Sequence, residues 1–302
     1  MLNLRTALAT APYTRALKDG TVSSDRVTLD FVEMSRIQDA FPQMVRDQAY
    51  DVCQMSPTTY LVARSFNKPI TAVPVFLNRH FHHGVIAANT AVRTPRDLEG
   101  KRVGIGSWTI TTGVWGRVVL QMDYGVAMDK IQWVSFEEPH VAEYREPSNV
   151  TRAPAGKTLN GMLAAGELDA AVAAGVPETD TVRPLIPDLQ ATQEASYRRT
   201  GIYPIVHTVA VKDALLQEHP WLAGELLRMF TEAKDGYLDI LCAEGAKTPD
   251  DERILWQSRV LNGDPLPYGL EPNRRSLEAL IDAAVDQRII PRRLTLADTF
   301  PV

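Results

Sequence analysis

Hydrophobic positions along this chain follow two rhythms, short apolar runs and stretches with apolar residues three or four apart, which predict strands alternating with helices. Residues 4–9 read as a strand, 13–18 open a helix stopped by Asp19-Gly20, and 27–33 alternate as a half-buried strand. Ile37, Phe41, Met44 and Val45 fall on one face and predict a helix over 37–48. A strand over 51–55, a helix over 58–66 and strands over 70–76 and 84–88 follow. A second unit begins near Thr94-Pro95, with a turn and strand in DLEGKRVGIGSW and a helix over 112–124 ended by Gly125. A strand over 131–136, a short helix over 158–165 and a strand over 169–173 complete it. Past Pro177, Pro184 and Pro187, residues 205–211 form a returning strand, the last third is helical, and PRRLTLADTF is an extended tail. This alternation is an α/β architecture.

Composition narrows the class. The 302 residues are 45% apolar and 23% charged, with a formal net charge of -5. No run reaches the roughly 18 to 20 apolar residues of a membrane span, and no basic block suits nucleic acid or an anionic membrane. The two cysteines, Cys53 and Cys242, are far apart, and two buried thiols are expected rather than one long-range disulfide. Arg5 and Pro12 interrupt what would have to be an apolar leader, so Met1 reads as a true start and the protein as cytoplasmic. There is no G-x-x-x-x-G-K-[ST], G-x-G-x-x-G at a strand-to-helix turn, H-E-x-x-H or G-x-S-x-G, so nucleotide, nicotinamide, zincin and α/β-hydrolase chemistry lack support.

The strongest local signal is Ser107-Trp108-Thr109-Ile110-Thr111-Thr112-Gly113, where a strand ends and a helix begins. Backbone N–H groups, the helix dipole and four hydroxyls meet there, which favours an anion such as a carboxylate. One hydroxyl would suffice for capping. In Arg79-His80-Phe81-His82-His83, an extended chain puts His80 and His82 on one side. Two histidines at that spacing need a third ligand to hold a metal, and none is spaced to supply it, so proton transfer or substrate contact is the first expectation and structural hydrogen bonding the alternative. His207, between apolar residues of the returning strand, is either a satisfied core histidine or a site residue. Glu137-Glu138-Pro139-His140 lies beyond a strand end but reads first as a solvated charge run. Tyr13 precedes the first helix, and Met55-Ser56 lies beyond another strand end, where open α/β sheets bind ligands.

The segments RHFHHGVI, DLEGKRVGIGSWTITTGVWGRVVLQMDYGV, WVSFEEPHVAEY and GIYPIVHTVAVKD, with the PRRLTLADTF tail, resemble the 4,5-dihydroxyphthalate decarboxylase family over most of the chain. The resemblance implies a two-lobed type 2 periplasmic-binding-protein-like fold with the ligand in a cleft. Residues 1–93 and 205–302 would form one lobe and 94–204 the other. It implies a carboxy-lyase that converts 4,5-dihydroxyphthalate to protocatechuate and carbon dioxide; with no cofactor motif and no metal-ligand spacing in the chain, cofactor-independent catalysis is expected. On that reading His82 or His80 transfers the proton, Arg79 stabilises a carboxylate or phenolate, and His207 stands in reserve. Tyr13, Met55, Ser56, Ser107, Trp108, Thr109, Thr111 and Thr112 would contact a small aromatic carboxylate. The alternative is a solute-binding protein that captures such an anion without chemistry. Self-association is left open.

Overall fold

The computed structural model describes residues 1–301. In chain order it forms β1 (Leu2–Ala7), α1 (Arg15–Lys18), β2 (Val27–Phe31), α2 (Ala40–Asp47), β3 (Val52–Met55), α3 (Pro57–Ser65), β4 (Ile70–Arg79), β5 (Ile86–Asn89) and β6 (Arg102–Ile105). Then come α4 (Thr111–Tyr124), β7 (Gln132–Ser135), β8 (Val150–Arg152), α5 (Leu159–Ala164), β9 (Ala170–Val172), β10 (Val182–Pro184), α6 (Leu189–Thr200) and β11 (Ile205–Lys212). The remainder is α7 (Asp213–Glu218), α8 (Leu222–Glu244), α9 (Pro249–Leu261), α10 (Arg274–Asp286) and α11 (Leu296–Thr299). Among the described residues no helix is long and apolar enough to cross a membrane.

Four features depart from the sequence expectation. β8 and β10 are three-residue strands, too short for alternation to show. α6 is polar nearly all round, with only Thr200 buried, so it has no apolar stripe to detect. The tail is not extended throughout: Thr295 and Asp298 form a reciprocal capping box that starts α11. Cys53 is buried, as expected, but Cys242 is exposed, because Leu241 takes the inward position on that turn of α8; both thiols are free.

Backbone contacts divide the chain into two units, 1–79 with 205–277 and 294–302, and 80–204 with 278–293. The boundary expected at residue 93 falls inside the second unit, because β5 pairs with β9 and β10. The first unit holds a sheet of order β2-β1-β3-β11-β4, with β1 parallel to β2 and β3, and β11 antiparallel to β3 and β4. The register of β11 on β4 shifts between Thr208 and Val209, beside Pro74, which has no N–H for the ladder. Leu4, Val73, Val209, Leu226 and Phe230 belong to the core of this unit, where α8 packs on the sheet.

The second unit holds a sheet of order β10-β5-β9-β6-β7-β8, in which β9, β6, β7 and β8 run parallel. The chain leaves β6 through α4 toward β7 on one side, while β9 flanks β6 on the other. Connections diverge at the β6–β9 pair, and ligand sites in open α/β sheets gather beyond the strand ends at such points. α4 approaches β9 closely at Gly116: a Cβ there would lie 2.3 Å from Val172 Cγ1 and 3.2 Å from Val85 Cγ2. Only glycine fits that contact without moving the sheet.

Candidate active site

The hydroxyl-rich loop lies at the carboxyl end of β6 and leads into the first turn of α4. Ser107, Trp108, Thr109 and Thr111 are buried, and Thr112 is half-buried. Ser107 Oγ and Thr109 Oγ1 stand 3.4 Å apart. The N-cap residue is Ile110, which offers no side-chain oxygen to the helix, so capping in the usual manner does not account for the hydroxyls. Trp108 is anchored inward. Its indole N–H donates to Gln287 O (2.8 Å), and its ring meets Trp133 edge to face at 5.6 Å.

Arg117, which sequence reasoning passed over, lies under this loop. Its guanidinium is fully buried, stacks on Trp108 at 3.9 Å and donates from Nε to Gln287 Oε1 (2.7 Å) and from Nη2 to Trp108 O (2.6 Å). Nη1 has no hydrogen-bond partner among the described residues. Burial pulls the guanidinium down to about 9, against a small opposing influence of Tyr144, and it remains a cation at neutral pH. The sequence did carry a signal, since Arg117 is the one charge in Thr111–Leu120, an otherwise uncharged run.

The histidine segment begins where β4 ends and joins α4 through aromatic packing. His80 and His82 stack with ring centroids 4.6 Å apart, and His82 faces Trp115 of α4 at 6.5 Å. Thus the same-side placement expected of them holds, although the chain there is no longer a strand. His82 is fully enclosed, and neither ring nitrogen has a hydrogen-bond partner among the described residues. Burial, reinforced by the neighbouring His80 charge, drives its pKa well below the ordinary imidazole value. His80 keeps a half-exposed face.

His83 points elsewhere, its Nε2 lying 2.7 Å from Asp123 Oδ2 near the end of α4. Burial pushes the Asp123 carboxyl up, but hydrogen bonds from His83 and Ser196 and the charge of Arg199 outweigh it and hold it low. This carboxylate–imidazole pair bridges 40 positions of chain, and no local spacing reveals it. His82, His83, Trp115, Asp123 and Ser196 line a cavity of about 30 Å³, room for a water but not an aromatic ring.

In the first unit the expected residues find local partners. Met55 is buried at the end of β3. Ser56 is the N-cap of α3, its Oγ accepting from Thr59 N and lying 3.1 Å from Thr58 Oγ1. Tyr13 OH accepts from Asn78 N at 3.2 Å, and burial raises its pKa to about 12. Arg79 is buried with its guanidinium on Asn273 Oδ1, and its carbonyl accepts from Arg253 and Gln257. Gln54 Oε1 accepts from Ala9 N (3.0 Å), which orients the amide so that Nε2 donates to His207 Nδ1 (2.7 Å). The neutral His207 ring therefore carries its proton on Nε2. A groove of about 570 Å³ along α8 contains none of the expected site residues. Among the described residues no group of three or more histidine, cysteine, aspartate or glutamate side chains is placed to hold a metal.

The exposed Glu137 and Glu138 follow β7. Arg152 bonds the Glu137 carbonyl and pairs with Glu138 at 3.4 Å and Glu146 at 3.3 Å. The charge run is thus a solvated, mutually paired surface, apart from the Glu137 carboxylate that lies beside Gly106.

Comparison with known proteins adds the following. Residues 27–146 match the model of the family described as NMT1/THI5 like. The chain is 32% identical to a 4,5-dihydroxyphthalate decarboxylase of Comamonas testosteroni, over 99% of this chain and 97% of that one. A second 4,5-dihydroxyphthalate decarboxylase, from Pseudomonas putida, is 34% identical over 60% of this chain and 73% of its own. Among solved structures, the periplasmic aliphatic sulphonate binding protein SsuA of Escherichia coli matches with a TM-score of 0.58 at 12% identity, covering 99% of this chain and 92% of that one. That likeness establishes the periplasmic-binding-protein-like fold and no more.

Proposed function

The chain belongs to the 4,5-dihydroxyphthalate decarboxylase family, and from that premise we propose that it is a carboxy-lyase releasing carbon dioxide from 4,5-dihydroxyphthalate to leave protocatechuate. The observation that carries the reading is identity sustained along nearly the whole of both chains. A solute-binding role shares the fold, but the two relatives matched by sequence are decarboxylases.

The substrate's own chemistry supports a reaction without an added electron sink. Each carboxylate-bearing ring carbon is para to a hydroxyl. Removing that hydroxyl's proton pushes electron density onto the ipso carbon, which then accepts a proton. The C–C bond to the carboxylate breaks, its electron pair restores the aromatic ring, and carbon dioxide leaves. One proton is consumed for each carbon dioxide released, and it comes ultimately from water.

Our reading gives His80 and His82 the proton. Two rings stacked at 4.6 Å disfavour two positive charges at once. His80, with its half-exposed face, takes the phenolic proton and returns it to carbon. His82 lies behind it as an uncharged wall. The loop 107–112 and the dipole of α4 hold the carboxylate that stays. Arg79, occupied by Asn273, and His207, held by Gln54, act in this reading by shaping their unit.

A cytoplasmic setting belongs to the same proposal and is supported by two free thiols, one of them exposed. The deciding assay incubates purified protein with 4,5-dihydroxyphthalate in deuterium oxide. Release of carbon dioxide with one deuterium on the protocatechuate ring is expected. Tight binding of the diacid with no gas released between about pH 5 and 9, the range spanning imidazole titration, would return the protein to the solute-binding class.

A further inference from the structure

We infer that Arg117 is the fixed positive charge of the carboxylate site at the start of α4, a positioning residue whose missing counter-ion is the substrate's retained carboxylate. The inference rests on the decarboxylase reading for the identity of the anion, and on geometry for its place.

A guanidinium removed from water needs a carboxylate or a full set of acceptors, because its desolvation is otherwise uncompensated. Arg117 is 0% exposed and has neither among the described residues. It makes no ion pair among the described residues, and Tyr144 is the one ionisable group whose charge bears on it. Its side chain donates to neutral oxygens, Gln287 Oε1 and Trp108 O, and Nη1 is buried without a hydrogen-bond partner among the described residues. The side chain reaches back along the helix, as long helical side chains do. Nη1 lies 3.3 Å from where a Cβ would stand on Gly113, in the first turn. A cation is therefore built into a helix N-terminus that already has an anion-attracting dipole, under Ser107, Thr109 and Thr111.

The surroundings hold it there. Gln287 Nε2 donates to Val114 O (3.2 Å), and Gln287 O accepts from the Trp108 indole (2.8 Å), so the amide facing Arg117 cannot turn away. The face of Trp108 stabilises the cation without neutralising it. Such a site favours an aromatic carboxylate over its neutral amide.

Calorimetry with phthalate and benzoate on the full chain tests this, alongside turnover of 4,5-dihydroxyphthalate. Arg117→Gln should weaken phthalate and benzoate binding alike by about 10- to 100-fold, the range of one charge interaction in buried surroundings. KM should rise far more than kcat falls. Arg117→Lys should restore most of the affinity, because it returns the charge without the fork. A shared loss in both variants, with a lowered melting temperature, would make Arg117 a packing residue and overturn the inference. So would phthalate affinity unchanged in Arg117→Gln. If wild-type protein binds phthalate but releases no carbon dioxide, the decarboxylase reading fails while the charge assignment is still decided by the binding arm.

Discussion

The two units each present hydroxyls at the carboxyl end of a parallel strand, just before a helix, yet differ in how the helix start is capped and in which buried groups are paired. In the first unit Ser56 caps α3 with its own side chain, and the nearby His207 is held by Gln54. Tyr13 and Arg79 are likewise engaged by Asn78 and Asn273. In the second unit α4 starts at Ile110 with no capping side chain, neither ring nitrogen of His82 has a hydrogen-bond partner among the described residues, and Arg117 has no counter-ion there. Polar groups that are satisfied locally stabilise a fold; polar groups left wanting raise its free energy unless something binds them. The contrast points to the second unit as the place where binding energy is available.

Substitutions can break that contrast. The largest effect should come from the histidines. His80→Asn should lower kcat by about 10²- to 10⁴-fold, the usual contribution of a general acid or base, while phthalate affinity stays within a few-fold. His207→Asn should lower kcat by less than about 10-fold, since Gln54 already occupies Nδ1 and no general acid–base term is lost. Equal collapse of both, measured by steady-state kinetics on folded protein, would erase the asymmetry.

Next in size is the loop. Thr112→Val should raise the phthalate Kd by roughly 10- to 150-fold, the equivalent of one charge-assisted hydrogen bond. Titration calorimetry reads this directly, and unchanged affinity would reduce the hydroxyls to local structure.

His82 makes a statement about pH. Its folded-state pKa is depressed, so the unfolded chain takes up the proton first as pH falls through about 6.5. Folding stability should be complete above that value. It should decline below it by up to about 1.4 kcal/mol per pH unit, until the folded ring also protonates. Urea denaturation at several pH values should show this slope, and His82→Phe should flatten it. A slope that survives the substitution would assign the acid sensitivity to other groups.

The smallest effect is the control from the first unit. Ser56→Ala removes the α3 cap and should cost about 1 kcal/mol of stability, with phthalate affinity unchanged. A loss of affinity there would show that the Ser56 hydroxyl serves the ligand as well as the helix.

Much of this was legible along the chain, because periodicity is a property of neighbouring residues. The alternation of strands and helices, the 205–212 return strand and the hydroxyl loop opening a helix all follow from spacing within a dozen residues. The placement of His80 and His82 on one side was also legible, but their stacking was not. Elements that bury little were hidden: β8, β10 and the polar α6 have no apolar signature.

What tertiary structure decided was the electrostatic state of each candidate. Arg117 and Gln287 are 170 positions apart, His207 and Gln54 153, and His83 and Asp123 40. Whether a histidine is held, oriented or starved of partners depends on such distant groups and on burial, and hydrophobic pattern encodes neither. An arginine in an apolar helix reads as an anomaly in sequence. Only the packed structure shows that it lies under a helix N-terminus with no carboxylate among the described residues to neutralise it, because charge compensation is settled by distance in space rather than by order along the chain.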